Sequence, residues 1–507
     1  MNEVQSETTA TVAAVDLGSN RFHMVLARRH HGDLQVLDRL KLMVRLGEGL
    51  DDTGALSDTV RRRALEALER FGQRLQGLSS SHVRVVGTNT LREMRDADAF
   101  MAASEAALGH PVEVVSGVEE ARLIYLGVAR SLGDEGGRRL VVDIGGGSTE
   151  VVIGEGAQPL RMESLEVGCV NLSRRCFADG RLSESAVEHA ALEAERVLEP
   201  VVARFRAPAF AHAVGASGTV KAVHRVLAGA GQAEESITRD ALMDLGQRIA
   251  AARSVDALDL PGLDDDRRPV FPAGVAILTG LFRALDITAM QVSDGALREG
   301  VLHDLVGRMD YHDVRDQTVA ALASRYHVDT EHAARVERTA LSLQGQVEEA
   351  WGFDREARNW LAWAARLHEI GLDVAHNGYH RHGEYIARHG DLGGFSAQDQ
   401  AVLAALIRCH RRKIARSALS AVPQGRQQRT WRLVPLLRLA VVLHRSRLDE
   451  EAPPVRLRAK ADTLTLTFPT DWLYRHPLTA VDLKLEQQAL TRAGYTLTIN
   501  EADTPNR

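Results

Sequence analysis

Cysteine is scarce. Cys169, Cys176 and Cys409 are the only three in 507 residues, and they form no Cys-x-x-Cys pair and leave an odd count. That pattern excludes a disulfide framework and a zinc ribbon, and it fits a reducing, cytoplasmic setting. Aromatic residues are also few, at 5%, which removes the stacking platforms that single-stranded nucleic acid needs. The formal net charge of −6 points the same way, so no nucleic-acid partner is expected, although a basic surface can sit inside an acidic total. No stretch reaches the roughly 20 apolar residues of a membrane span. The opening MNEVQSETTA is polar and acidic, unlike a signal peptide. The expectation is a cytoplasmic globular protein with no transmembrane segment, with peripheral membrane association left open.

What is present is ordinary globular composition, 45% apolar and 26% charged, which excludes disorder. A chain this long divides into about three or four domains. From 12 to 310 strand-like runs (12–16, 22–28, 83–87, 112–115, 140–143, 150–153, 211–214) alternate with helical patterns such as 57–77, where Ser57 or Asp58 can cap. Such alternation predicts α/β layers. SLGDEGGRR (131–139) reads as a linker or hairpin edge. After 311 amphipathic helices dominate, and strands return only at 455–500. The expected domains are 1–134, 135–310, a helical 311–450 and a small α+β tail, 451–507.

One pattern occurs twice. VAAVDLGSNRFHMVLAR (12–28) and VVDIGGGSTEVVIGE (141–155) both read strand, Asp-x-Gly turn, strand. Such turns expose backbone N–H groups to phosphate oxygens, and glycine permits both φ > 0 and close approach. Gly18, Ser19 and Asn20 form the first candidate phosphate loop; Gly145, Gly146, Gly147, Ser148 and Thr149 form the second. Asp16 and Asp143 place a carboxylate at each strand end, suited to a hydrated Mg²⁺. Either turn alone reads equally as a tight hairpin with a hydrogen-bonded Asp. Two copies imply lobes that grip one phosphate from both sides.

Three weaker signals stand beside the repeat. HAVGASGTVKAV (212–223) offers Gly215 and Ser217 before a helix whose N-terminus can face an anion, with close packing an equal reading. In SGVEEARLIY, Ser116 and Glu119 fit a capping box, which leaves Glu120 free to orient and deprotonate an attacking water. GTNTLREM (87–94) offers Arg92 as a phosphate clamp, with a surface charge as the alternative.

Taken together, AAVDLGSNRFHM, GTNTLRE, SGVEEARLIY, DIGGGSTE, GASGT and SDGALREG (293–300) resemble the exopolyphosphatase / guanosine pentaphosphate phosphohydrolase family. The resemblance implies an α/β fold of two actin-like (ribonuclease H-like) lobes, then a helical domain like the HD phosphohydrolases and a C-terminal α+β domain. It also implies Mg²⁺ dependence and a homodimer. By motif, Glu120 matches the water-activating glutamate, Asp143 and Glu150 the acidic positions tied to metal and water, and Arg92 the phosphate-binding arginine. Arg21 departs from the usual Ser and is not assigned. GGGST, Asp294 and the His/Arg-rich third domain favour the exopolyphosphatase branch. The first reading is therefore processive release of orthophosphate from inorganic polyphosphate, and the alternative is guanosine pentaphosphate 5′-phosphohydrolase. An ATP-dependent actin-like protein and a non-catalytic polyanion binder are remoter readings.

Two features fall outside that site. RLHEIGLDVAHNGYHRHGEYIARHG (366–390) carries His368, His376, His380, His382 and His389, but has His368-Glu369 where a metal-dependent HD enzyme needs His-Asp. It reads as a related fold with its own chemistry lost. Residues 401–448 hold 10 Arg, 1 Lys and no Asp or Glu. Either acids elsewhere pair with them, or Arg411, Arg412 and Lys413 line a polyphosphate channel.

Overall fold

A computed structural model describes residues 10–30, 33–51, 53–95, 97–132, 136–233, 235–310, 313–448 and 452–502. It divides into two compact units, Met1–Asp313 and Val314–Arg507. The expected boundaries at 134–135, 311 and 450–451, and part of the 131–139 linker, lie outside the described residues.

The first unit holds two sheets. Strands β1 (Thr11–Leu17), β2 (Arg21–His30), β3 (Asp33–Met43), β4 (Val83–Gly87) and β5 (Val112–Val114) run in the order β3-β2-β1-β4-β5. The second sheet uses β6 (Arg138–Ile144), β7 (Thr149–Glu155), β8 (Gln158–Leu165), β9 (His212–Gly215), β10 (Ser236–Thr238) and β11 (Ala289–Val292), ordered β10-β11-β9-β6-β7-β8. In each sheet an antiparallel three-strand meander continues through parallel pairings, β1 with β4 and β6 with β9. The repeated turns join the first two strands of each meander. The duplication legible in a few residues is thus a duplication of topology.

Burial explains the strand composition. Along β1, Ala13, Val15 and Leu17 enter one core while Val12 and Ala14 enter another. Both faces are covered, so the strand is apolar from Val12 to Val15 and again at Leu17. The second core also takes Val141, Val152 and Val214 from the other sheet, along with the Gly117–Ser131 and Leu297–Met309 helices. The latter helix, grouped with residues 135–310 from sequence, packs on Gly117–Ser131 and on β1. A Cβ on Gly300 would lie 1.8 Å from the Leu123 carbonyl oxygen, and one on Gly127 would lie 2.0 Å from that of Ala296. These two glycines permit the close crossing.

Four strands, β3, β8, β10 and β11, escape the sequence pattern. Burial along β8 alternates poorly, with Leu165 its only fully buried residue, so period-2 reasoning has little to find there. Ser57 does precede the Asp58–Leu75 helix, but its side chain makes no cap bond.

The second unit is one body. Helices Val314–Arg325, Thr330–Trp351, Arg355–Leu367, Tyr379–His389, Ala397–Cys409 and Gln424–Leu443 precede β12 (Arg456–Lys460), β13 (Thr463–Phe468), the Pro477–Arg492 helix and β14 (Thr496–Glu501). A single hydrophobic core runs from Val319 to Leu497, so the 450/451 division separates no two cores. No described helix is long and apolar enough to cross a membrane.

Where the two crossing helices meet, a polar cluster is buried. Asp304 accepts from Arg84 (2.6 Å), from Arg308 (2.8 Å) and from Arg122. Although burial alone would raise its pKa, Arg122, Arg84 and Arg308 hold its carboxyl well below the usual range. Glu119 corrects the capping-box expectation. Ser116 does accept from the Glu119 N–H (3.2 Å), but the fully buried Glu119 carboxylate binds Arg122 twice (2.7 and 2.9 Å) and lies 3.5 Å from Arg84. Breaking one partner of a buried ion pair costs about 3–5 kcal/mol, against about 1 for a cap. Glu119→Gln is therefore expected to lower unfolding stability by about 3 kcal/mol or more, measured by chemical denaturation. A loss near 1 kcal/mol would return Glu119 to a capping role.

Candidate active site

The two hairpin turns lie against each other. A Cβ on Gly146 would sit 3.0 Å from Ser19 Cβ, and one on Gly147 would sit 1.9 Å from Asn89 Oδ1. None of Gly18, Gly145, Gly146 and Gly147 has a left-handed φ. The glycines are needed for close approach and not, as expected, for φ > 0. Each turn is braced through its carbonyls: Gly47 N–H donates to Ser19 O (2.8 Å), Arg45 N–H to Asn20 O (2.7 Å), Cys169 N–H to Gly145 O (3.0 Å) and Val170 N–H to Gly146 O (2.9 Å). Thr90 Oγ1 donates to Ser19 Oγ (2.7 Å). Beside the turns opens a cavity of about 340 Å³, lined by Ser19, Asn89, Thr90, Gly146, Gly147 and Asn171 among others.

Four carboxylates gather by the turns. Asp16 ends β1, Asp143 lies on β6 directly across from Glu150 on β7, and Glu120 comes from the first turn of the Gly117–Ser131 helix. Burial pushes Asp16 up to about 7, with Glu120 and Asp143 adding to the rise and Arg298 opposing it. Burial and Glu120 push Asp143 to about 7 against Lys221 and Arg298. Glu150 is raised further by burial, Glu120 and Asp143, although Ser148 and Ser164 donate to it, the latter at 2.8 Å. Asp16 Oδ1 is buried with no hydrogen-bond partner. Clustered carboxylates with an orphaned oxygen are the donor type of a hard divalent cation such as Mg²⁺, although among the described residues no three of them bring ligand oxygens within 4.8 Å of one another.

Glu120 is held by Arg92, whose Nη1 donates to its Oε2 (2.9 Å) and to the Val115 carbonyl (2.9 Å). Burial raises the Glu120 pKa and Arg92 opposes the rise. The third loop departs from expectation. Ser217 caps the Gly218–Gly229 helix by accepting from Thr219 and Val220 N–H (3.1 and 3.0 Å), and a Cβ on Gly215 would meet Val220 at 2.4 Å. Gly215 packs against Val220, and Ser217 Oγ serves as a cap acceptor that leaves its O–H as a donor. What covers that helix start is Arg267, whose Nη2 would lie 2.1 Å from a Cβ on Gly218.

The match to the Ppx/GppA phosphatase family model covers residues 25–309, and that to Ppx/GppA phosphatase domain III covers 314–487. The chain belongs to the Ppx/GppA phosphatase family. Two proteins named guanosine-5'-triphosphate,3'-diphosphate pyrophosphatase are each 38% identical. The Pseudoalteromonas translucida protein matches over 96% of this chain and 98% of its own. The Vibrio cholerae protein matches over 98% and 99%. Among solved structures, the Aquifex aeolicus PPX-GPPA enzyme matches with TM-score 0.50 and 26% identity, over 58% of this chain and 98% of that one. An exopolyphosphatase from Cytophaga hutchinsonii matches in fold with TM-score 0.54 at 23% identity, over 60% and 99%. These neighbours share the actin-like α/β fold.

Sequence reasoning missed part of this phosphatase's site. Asn89, Thr90 and Arg298 lie inside the quoted motifs GTNTLREM and SDGALREG, where their polar side chains are the available signal. Lys221 lies inside the quoted HAVGASGTVKAV, whereas Arg267 and Asn171 carry no motif signal and reach the site through tertiary packing. Arg21, left unassigned, lies 3.5 Å from Asp266. With Arg267, Arg298 and Arg225 it brings Lys41, which burial already lowers, down to about 8. Arg267 itself is lowered by burial and then by Arg21 and Arg225. Within this group of neighbouring cations Arg225 pairs with Asp264 (2.9 Å) and Arg21 lies near Asp266 (3.5 Å), so its positive charge is only partly neutralised.

The basic run 401–448 resolves mostly into pairs with acids outside it. Arg408, Arg426, Arg429, Arg438, Arg445 and Arg447 bind Glu384, Asp399, Asp354, Glu486, Asp482 and Glu369. Arg412 and Lys413 are exposed, and Arg411 stacks 4.3 Å over Tyr379. The channel idea keeps three cations where the sequence offered eleven.

Asp16 and Asp143 bind protons more tightly folded than unfolded, so their contribution to stability falls as pH rises between about pH 4 and 7, whereas His368, His380 and His444, lowered to about 4, contribute in the opposite sense between about pH 4 and 6.5. Mg²⁺ is expected to stabilise the protein more at pH 8 than at pH 5. Asp143→Asn should make the thermal stability of the metal-free protein rise more, or fall less, from pH 5 to pH 8 and should reduce the Mg²⁺ difference in scanning calorimetry; an unchanged slope would remove Asp143 from the titrating cluster.

Proposed function

We propose that the protein hydrolyses the terminal 5′ phosphoanhydride bond of guanosine pentaphosphate, releasing orthophosphate. The observation that carries this reading is the end-to-end similarity to enzymes named for that substrate. It reverses the order drawn from sequence, where polyphosphate came first. The group of Arg21, Lys41, Arg225, Arg267 and Arg298 supports it, because a nucleotide phosphorylated at both ends needs a second anion site beside the reacting one. Few-residue differences such as GGGST and Asp294 lose their weight, since Asp294 is exposed and pairs only with Lys221 (3.1 Å).

In the mechanism, water attacks the terminal phosphorus, the new P–O bond forms, and the anhydride P–O bond breaks to leave guanosine tetraphosphate. Glu120 orients the water and takes its proton, and a raised pKa makes it the stronger base. The turn N–H groups at 18–20 and 146–148 grip the phosphoryl oxygens, while Arg92 fixes the Glu120 carboxylate. Asp16, Asp143 and Glu150 would hold Mg²⁺, which when bound neutralises charge on the transferring group.

Three measurements test this. Glu120→Gln should lower kcat by roughly 10²–10⁴ with substrate binding retained; near-normal turnover would remove Glu120 from the mechanism. Orthophosphate release with Mg²⁺ should favour guanosine pentaphosphate over long polyphosphate by at least about tenfold in kcat/KM. Arg267→Ala should raise KM for the nucleotide more than for polyphosphate. The opposite preference in wild type would reinstate the exopolyphosphatase reading.

A further inference from the structure

The Val314–Arg507 unit buries a cluster of imidazoles that the phosphatase reaction does not use. His332, on the Thr330–Trp351 helix, and His368 and Glu369, at the end of the Arg355–Leu367 helix, each offer one donor atom, and the three atoms lie within 4.8 Å of one another. All three residues are buried, His368 completely. His368 Nε2 stands 3.9 Å from a Glu369 oxygen.

The hydrogen bonds assign the tautomers. His368 Nδ1 lies 2.7 Å from the Ala365 carbonyl oxygen, which only an Nδ1–H can satisfy. Its Nε2 therefore carries a lone pair, and that atom is buried with no partner. His410 repeats the arrangement, with Nδ1 at 2.6 Å from the Ile407 carbonyl and a buried, unpartnered Nε2. Its ring lies 5.3 Å from that of His368, nearly perpendicular. His332 adds a third orphan, Nδ1, with its ring 5.7 Å from His368. An unsatisfied buried polar atom costs about 1–3 kcal/mol, and three in one cluster ask for a common partner.

An imidazole that donates Nδ1–H to a carbonyl and aims its other nitrogen inward is the form that binds a metal. Burial keeps the rings neutral, with His368 brought down to about 4 despite Glu369. The charges around them are Glu369 and Asp329, both paired with Arg447, together with Arg335 and the more distant Arg411. Water could satisfy one of these nitrogens, but not three converging acceptors together with a carboxylate as well as a cation does.

We propose that His332, His368 and Glu369, with His410 packed beside them, bind one first-row transition-metal ion of the Zn²⁺ type. From sequence, His368-Glu369 looked like a metal pair spoiled by its longer carboxylate. The fold changes that judgement, because nitrogen donors from two other helices surround the pair. An ion bound about 2.1 Å from each donor needs donors about 3–4 Å apart, which small side-chain rotations supply. Imidazole donors favour Zn²⁺, Co²⁺ or Ni²⁺ over Mg²⁺, so this site and the carboxylate site select different ions.

The test uses the full-length protein, stripped with chelator and kept in excess Mg²⁺, then titrated with Co²⁺ and Zn²⁺. One equivalent of Co²⁺ should bind with the visible absorption of nitrogen coordination, be displaced by Zn²⁺, and raise the unfolding temperature. His368→Gln and His332→Gln should each weaken binding by more than the roughly 10–100-fold typical of outer-shell partners, with native circular dichroism, while Asp143→Asn leaves it intact. If the histidine variants do not fold, X-ray absorption of the Zn²⁺-loaded wild type decides through imidazole scattering in the first shell. An all-oxygen shell, no stoichiometric uptake, uptake lost in Asp143→Asn, or uptake unchanged in both folded histidine variants would each overturn the site.

Discussion

Mutual repulsion among Asp16, Glu120, Asp143 and Glu150 is the constraint around which the first unit is organised. Bringing four carboxylates out of water costs free energy that hydrophobic burial elsewhere must offset. The chain supplies partial compensation through Arg92, Lys221, Arg298 and the serines on Glu150. The remainder is what makes the cleft receptive to a divalent cation. A site relaxed in the bare protein would have no such preference.

Holding those groups requires backbones closer than side chains normally allow. Gly146 against Ser19, Gly147 against Asn89, and the Gly127–Gly300 helix crossing share one physical demand, the absence of a Cβ. The buried Glu119–Arg122–Arg84–Asp304 cluster fixes the same crossing from the polar side. Glu120 follows Glu119 directly on the helix, so the ion network that anchors the one also sets the position of the other.

Positive charge is divided by role. In the first unit, Arg21, Lys41, Arg225, Arg267 and Arg298 crowd one another in the manner of an anion site. In the second, most arginines of 401–448 are consumed by acids from other helices. A run of like charges in the sequence therefore says little about a binding surface until the partners are placed.

Local chemistry determined much of this protein by itself. Each strand–Asp-x-Gly–strand hairpin is a contiguous stretch whose alternation and glycine content are legible residue by residue, so the lobes, Asp16 and Asp143 are legible there, while Glu120 is read from the start of the Gly117–Ser131 helix and Glu150 from the family resemblance. Contacts between distant segments were not legible. The bidentate Glu119–Arg122 pair and its Asp304 partner, the return of the 297–309 helix to the first sheet, and the arrival of Arg267 at the start of the Gly218–Gly229 helix each join residues far apart in the chain. Gly215 and Ser217 carry a motif with two readings, and packing on Val220 and the cap on Thr219 and Val220 N–H show the structural one at work. The buried histidines show the same limit, because His332, His368 and His410 lie on three helices. Periodicity can mark each of those helices, but only tertiary packing decides which nitrogens face one another.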